Sequence, residues 1–183
     1  MANTYNSLST VTVGSGGVAN IQFTSIPQTY TDLCLIFSVR SNNSSAGSGL
    51  YESLVTRINN SATTSHYYSR SLRADGSNGL AIANYNGNVS WLAPGSYVNA
   101  ANVTANTFSN FQLYIPNYSS SYPKSFVIDG SSPANIATQV GANFMAASLY
   151  NQTTAITSIS LSPEYGSLWV ENSTAHLYGI KKD

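Results

Sequence analysis

Leu33-Cys34-Leu35-Ile36-Phe37-Ser38-Val39-Arg40 is the stretch on which the fold turns. Its apolar residues recur at every second position: Leu33, Leu35, Phe37 and Val39 share one side, Cys34, Ile36, Ser38 and Arg40 the other. That period belongs to an extended strand, whose successive side chains point to opposite faces. The first half is apolar on both sides, which predicts a strand inside a sheet rather than at its edge. Upstream, Ile26-Pro27 breaks the pattern, because proline has no N–H for a ladder, and Thr29–Asp32 turns the chain. Downstream, Ser41–Gly49 is a loop of Ser, Asn, Gly and Ala.

The same alternation recurs along the chain. Strands are predicted at Leu8–Val13, Val18–Phe23, Leu54–Ile58, His66–Ala74, Thr107–Ile115, Lys124–Ile128, Gln139–Leu149 (broken by Gly141), Ala155–Leu161 and Ser173–Ile180. Asp75-Gly76 and Asp129-Gly130 read as tight turns. Between Ser77 and Asn102 the pattern loosens into short apolar pieces, Leu80–Ala83 and Val89–Leu92, separated by Asn-Gly and Pro-Gly turns, which reads as either a short hairpin plus loops or an extended surface excursion. Helix-building residues are scarce, and no long 3.6-period stripe occurs. Roughly ten to twelve short strands with turn residues between them predict an antiparallel all-β sandwich or barrel. No composition shift marks a boundary, so residues 1–183 are expected to form a single domain. Ile26-Pro27-Gln-Thr-Tyr30 is faintly echoed by Ile115-Pro116-Asn-Tyr118, which reads first as two strands that each end at a proline.

Composition narrows the function. Ser, Thr and Asn make up 36% of the 183 residues and charged residues only 8%, with seven basic against seven acidic side chains. Soluble proteins ordinarily hold about 25% charged residues. A neutral surface of hydroxyls, amides and thirteen tyrosines has little long-range repulsion and favours association with another neutral surface or with a glycan. Zero net charge argues against an electrostatic grip on nucleic acid. No apolar run approaches the ~20 residues of a membrane helix, and the start Met-Ala-Asn-Thr-Tyr has neither the basic nor the apolar region of a signal peptide.

Chemistry-bearing constellations are hard to find. His66 and His176 lie in no nucleophile motif, and no Gly-x-Ser-x-Gly occurs. Asp129 and Glu164 are a formal carboxylate pair, but Asp32, Asp75, Asp129 and Glu164 all read as turn residues. No phosphate loop or zinc-ligand set is present, and Asp75-Gly-Ser-Asn78 is a turn rather than a calcium loop. The single cysteine, Cys34, excludes an intrachain disulfide and reads as a buried thiol. Asn-x-Ser/Thr occurs eight times where about a quarter of the 20 Asn residues would match by chance, too small an excess in so Ser/Thr-rich a chain to mark glycosylation sites. Arg57, Arg70 and Arg73 fall in consecutive strands and are able to approach one another. We therefore expect no catalytic residue, cofactor or metal. Tyr67, Tyr85, Trp91, Tyr97, Tyr118, Tyr122, Tyr165 and Trp169 fall in turns or ragged edges, where exposed aromatics serve interfaces or stack on sugars. The Ser77–Asn102 excursion is the expected partner-facing segment, with Tyr85, Trp91 and Tyr97 as its contact residues.

Several motifs carry a resemblance. Met-Ala-Asn-Thr-Tyr, Phe23-Thr-Ser-Ile-Pro-Gln-Thr-Tyr-Thr-Asp-Leu33, Thr107-Phe-Ser-Asn-Phe-Gln-Leu-Tyr-Ile-Pro-Asn117, Ala155-Ile-Thr-Ser-Ile-Ser-Leu161 and Ala175-His-Leu-Tyr-Gly-Ile180 resemble small structural proteins of tailed bacteriophages, especially those of cyanobacteria and marine bacteria. The resemblance runs over essentially the whole chain. It implies a jelly-roll β-sandwich, a homotrimer and a place on the virion, assembled in the host cytoplasm. Proteins of this kind include capsid decoration (cement) proteins, whose partner is the major capsid protein, and tail-fibre tips, whose partner is a host glycan. The resemblance brings no catalytic residues.

Overall fold

A computed structural model of the chain describes residues 4–44, 51–75, 79–94, 96–134 and 141–181. Twelve strands run in the order β1 (Tyr5–Thr12), β2 (Ile21–Phe23), β3 (Asp32–Val39), β4 (Tyr51–Ile58), β5 (Tyr67–Asp75), β6 (Gly79–Asn86), β7 (Tyr97–Asn99), β8 (Ser109–Ile115), β9 (Lys124–Ser132), β10 (Ala142–Tyr150), β11 (Ile159–Pro163) and β12 (Thr174–Ile180). Among the described residues the only helical turn is a 3-10 turn at Thr64–His66.

The strands form two sheets. The larger has eight strands in the order β1-β12-β3-β8-β9-β10-β5-β6, and the smaller has four, β2-β11-β4-β7. Every ladder between these strands is antiparallel. Leu33–Val39 lies between β12 and β8, the interior position that its two-sided apolar pattern predicts.

One hydrophobic cluster joins side chains of both sheets: Leu33, Leu35, Phe37, Phe111, Leu113, Phe126 and Ile128 from the larger, and Ile21, Phe23, Leu54, Ile58, Ile159 and Leu161 from the smaller. The fold is thus an all-β sandwich, and it rests mainly on burial of these alternating side chains. Phe37 stacks on Phe111, with ring centroids 5.6 Å apart and planes at 10°, and Phe111 leans on Phe144 at 6.4 Å.

That aromatic row corrects one expectation. Asp129-Gly130 does not end its strand; β9 continues through it to Ser132. Gly130 faces the interior opposite Phe111, whose ring lies across the glycine where a Cβ would collide with it. The glycine serves a packing crossing, not a turn, and Asp129 is a strand residue on the opposite face. In the loosened region the structure has the hairpin alternative: β6 pairs with β5, and β7 pairs with β4. Residues 76–78 and 95 of that region lie outside the described residues.

The two Ile-Pro corners meet. The phenol of Tyr118 is fully buried and donates to the carbonyl of Pro27. The weak sequence echo therefore marks two strand ends that close the same end of the sandwich.

Candidate functional site

The first feature that bears on function is where the ionised groups lie. Arg40, Glu52 and Lys124 are all buried. The Arg40 guanidinium donates to the carbonyls of Ala101 (3.2 Å), Val103 (3.0 Å), Thr104 (2.7 Å) and Thr107 (3.1 Å), so one side chain gathers four carbonyls of the 101–107 loop. The Glu52 carboxylate accepts the backbone N–H groups of Glu164 (3.2 Å), Tyr165 (3.0 Å) and Gly166 (2.6 Å), and the Ser41 hydroxyl (3.2 Å). The Lys124 ammonium donates to the carbonyls of Ser120 (2.7 Å), Thr153 (3.1 Å) and Thr154 (2.8 Å). Burial lowers the pKa of both Arg40 and Lys124. In each case the buried charge is met by backbone dipoles, which is the condition for burying it at all. The outcome for the surface is further depletion of a charge count that is already low.

The second feature is the outer face of the large sheet. Ile36, Leu72, Val127 and Met145 are large apolar side chains between 41% and 55% exposed. Register places all four on this one face: Ile36 lies opposite Gln112, Gln112 opposite Asp129, Asp129 opposite Met145, and Met145 opposite Leu72. Val127 lies one row away, opposite Ala147, and Ala147 lies opposite Arg70. A depression of about 450 Å³ lies on the sheet around Ile36, Asn110, Gln112, Asp129 and Ser131. Apolar strand residues normally turn inward; here four face outward, with Gln112 and Asp129 between Ile36 and Met145 and Arg70 beside them.

The expected contact residues are placed less openly. Tyr85 is on β6 opposite Ser69, and its side chain lies outside the described residues. Tyr97, on β7, is half-buried, with its ring 4.6 Å from the Arg73 guanidinium carbon, so it packs between the two sheets. Trp91 is half-buried, and its indole N–H is buried without a hydrogen-bond partner in the structure. The wider aromatic set divides. Tyr67, Tyr118 and Trp169 are fully buried, each with its polar atom hydrogen-bonded, so they are core residues and not interface residues. Tyr122 and Tyr165 stand exposed.

The remaining candidates are scattered. Asp129 lies on the outer face of the large sheet and Glu164 follows β11 in the small one, so the formal carboxylate pair is not assembled. His66 Nδ1 lies 2.7 Å from the Ser61 hydroxyl beside the Tyr150 ring, and His176 Nδ1 lies 3.2 Å from Thr10 Oγ1 on the outer face. Arg57, Arg70 and Arg73 do not gather: Arg57 donates to Ser90, Arg70 faces outward and Arg73 packs on Tyr97. Cys34 is a buried free thiol whose pKa is raised by burial and by the charge of Asp129. Among the described residues no three His, Cys, Asp or Glu side chains gather as a metal site, and no helix is long and apolar enough to cross a membrane. No protein-family model, curated protein or solved structure matches the chain.

Sequence reasoning missed Arg40, Glu52 and Lys124 as internal anchors and missed the outer face. The second was available: Ile36 and Met145 break the polar half of their strands' alternation.

Proposed function

We propose that the chain is a non-enzymatic structural protein of a tailed-bacteriophage virion: a capsid decoration (cement) protein that binds the assembled shell as a homotrimer on the capsid exterior. The observation that carries this reading is the apolar outer face of the eight-stranded sheet in a chain that turns its buried charges onto its own backbone. Such a face docks on a neutral protein surface with little desolvation cost. Binding only the assembled shell stabilises it by mass action. The strand order supports the jelly-roll form of the sandwich. β1-β12-β3-β8 opposite β2-β11-β4-β7 is the interleaving of two Greek keys, with β5–β6 and β9–β10 as pairs added to one edge. Cryo-EM of virions that carry this chain tests the reading: density on the shell at the capsid subunit junctions is expected, and density confined to the tail overturns it.

A second reading, a tail-fibre module that recognises host surface polysaccharide, is favoured by the exposed loop tyrosines Tyr122 and Tyr165 and by the unpaired indole N–H of Trp91. Glycan-array binding that is lost on Trp91→Ala or Tyr97→Ala supports it.

A further inference from the structure

The 116–123 loop joins β8 to β9 and carries Tyr122, whose ring is 73% exposed. Beneath that ring the loop is fixed from several directions. Tyr118 is buried and tied to Pro27. The Asp32 carboxylate accepts the Asn117 N–H at 2.8 Å and the Tyr114 hydroxyl at 2.6 Å. Asn117 itself adopts φ +50°, a left-handed conformation that asparagine tolerates. Ser120 donates its N–H to the Asn117 carbonyl at 3.0 Å and receives the Lys124 ammonium on its own carbonyl. Pro116 and Pro123 restrict the backbone on both sides. Tyr122 thus projects from a loop whose backbone is fixed on either side of it.

Beside Tyr122 is a half-open depression of about 320 Å³ lined by Pro116, Asn117, Ser120, Tyr122, Pro123 and Ser125. That is the small end of the range for ligand sites, about 300–1,000 Å³. Its chemistry is specific by what each residue supplies. The tyrosine and the prolines offer flat apolar surface; Asn117 offers an amide with donors and an acceptor; Ser120 and Ser125 offer hydroxyls. The lining holds neither a basic side chain nor a carboxylate, since Lys124 turns inward onto carbonyls and Asp32 is engaged by Tyr114 and Asn117. A phosphate or carboxylate ligand finds no counter-charge there. A pyranose ring fits: its C–H face stacks on an aromatic ring while its equatorial hydroxyls reach amides and hydroxyls around the rim.

We propose that this loop is a binding subsite for a neutral pyranose, with Tyr122 as the stacking platform and Asn117, Ser120 and Ser125 as the hydroxyl partners. The proposal deepens the polysaccharide reading and relocates its site to the other end of the sandwich from Tyr97. Because the loop is already ordered, binding spends little entropy on fixing it.

The test is an amide NMR titration of the intact protein with the methyl glycosides of glucose, galactose and N-acetylglucosamine in turn. Shifts centred on Asn117, Ser120, Tyr122 and Ser125 with at least one glycoside are expected. Tyr122→Ala should weaken that binding about tenfold or more, the loss of one stacking contact. Tyr122→Phe and Tyr165→Ala should leave it intact. Shifts that centre on Trp91, or that survive Tyr122→Ala, overturn this subsite while keeping the polysaccharide reading. No shifts with any of the three glycosides overturn the subsite.

Discussion

The two ends of the sandwich are closed by the same device used in unequal measure. At the end formed by loops 24–31, 59–66, 116–123 and 151–158, several side chains share the work. Lys124 ties Ser120 to Thr153 and Thr154; Tyr118 holds Pro27; Asn59 accepts the N–H groups of Thr157 and Ser158 and donates to Ala155; Gln28 donates to Ile156. At the other end the 101–107 loop depends on Arg40, the 164–166 turn on Glu52 and the next turn on Asn42. The first end spreads its bonds over several side chains, and the second concentrates them, with Arg40 on four carbonyls and Glu52 on three N–H groups, beside lesser bonds from Asn99 and the main chain. A redundant end suits a preorganised ligand site; an end whose bonds gather on single side chains is where one substitution does most damage.

Arg40→Met sharpens that contrast most. It takes the guanidinium donor from the buried Val103 carbonyl and from the part-buried carbonyls of Ala101, Thr104 and Thr107, at a cost of about 1 kcal/mol each. A loss of about 3–4 kcal/mol in urea denaturation is expected. Lys124→Met also strands carbonyls, but Tyr118 and Asn59 still hold the neighbouring loops, and about 1–2 kcal/mol is expected. Equal losses would dissolve the distinction between the ends.

A proton supplies the next effect. Burial pushes the Tyr67 phenol up to about 12 from an ordinary value of 10. Its hydroxyl accepts the Ile58 N–H and donates to the Ser61 carbonyl. An acid whose pKa is raised on folding stabilises the native state fully below pH 10 and loses that contribution as pH rises towards 12, because the unfolded chain releases its proton first. The redundant end should therefore weaken in alkali by about 2 kcal/mol. Tyr67→Phe should flatten that slope while lowering stability at neutral pH. A wild-type slope unchanged by the substitution would remove Tyr67 from the account.

Much of this was legible in the residues and much was not. Leu33–Val39 announced its strand and its central position because both signals are local: alternation, and apolarity on two faces. Asp129-Gly130 misled because the dipeptide's turn preference is local, whereas the reason for Gly130 is the Phe111 ring on the neighbouring strand. Arg40 and Lys124 gave no sign of burial, since their partners are backbone carbonyls about which side-chain identity says nothing. Of the aromatics, Tyr67, Tyr118 and Trp169 were indistinguishable by sequence from Tyr122 and Tyr165; only the tertiary course of the loops separates core from surface.

Asn59 allows a finer cut at the redundant end. It sits at φ +50° with its amide oxygen accepting from Thr157 and Ser158. Asn59→Gly keeps the conformation and loses the bonds; Asn59→Ala loses both. About 1 kcal/mol is expected for glycine, with alanine costing about 1 kcal/mol more. Equal effects would show that the left-handed conformation carries no cost there.

The smallest expected effect on stability belongs to neither end but to the sheet face between them. Met145 is exposed on the outer face and lies opposite Asp129. Met145→Lys removes apolar surface that is already in water and sets a cation across from a carboxylate, a favourable cross-strand pair. Stability should therefore move by no more than about 0.5 kcal/mol. The proposed docking responds to a different term, because a lysine and its Asp129 partner must both be desolvated against a neutral surface, where methionine need not. Co-sedimentation with purified capsid shells separates the two terms. Wild type is expected in the pellet and Met145→Lys in the supernatant, with both equally resistant to urea. A lysine variant that still pellets would move the docking surface off this face and return the search to the loops.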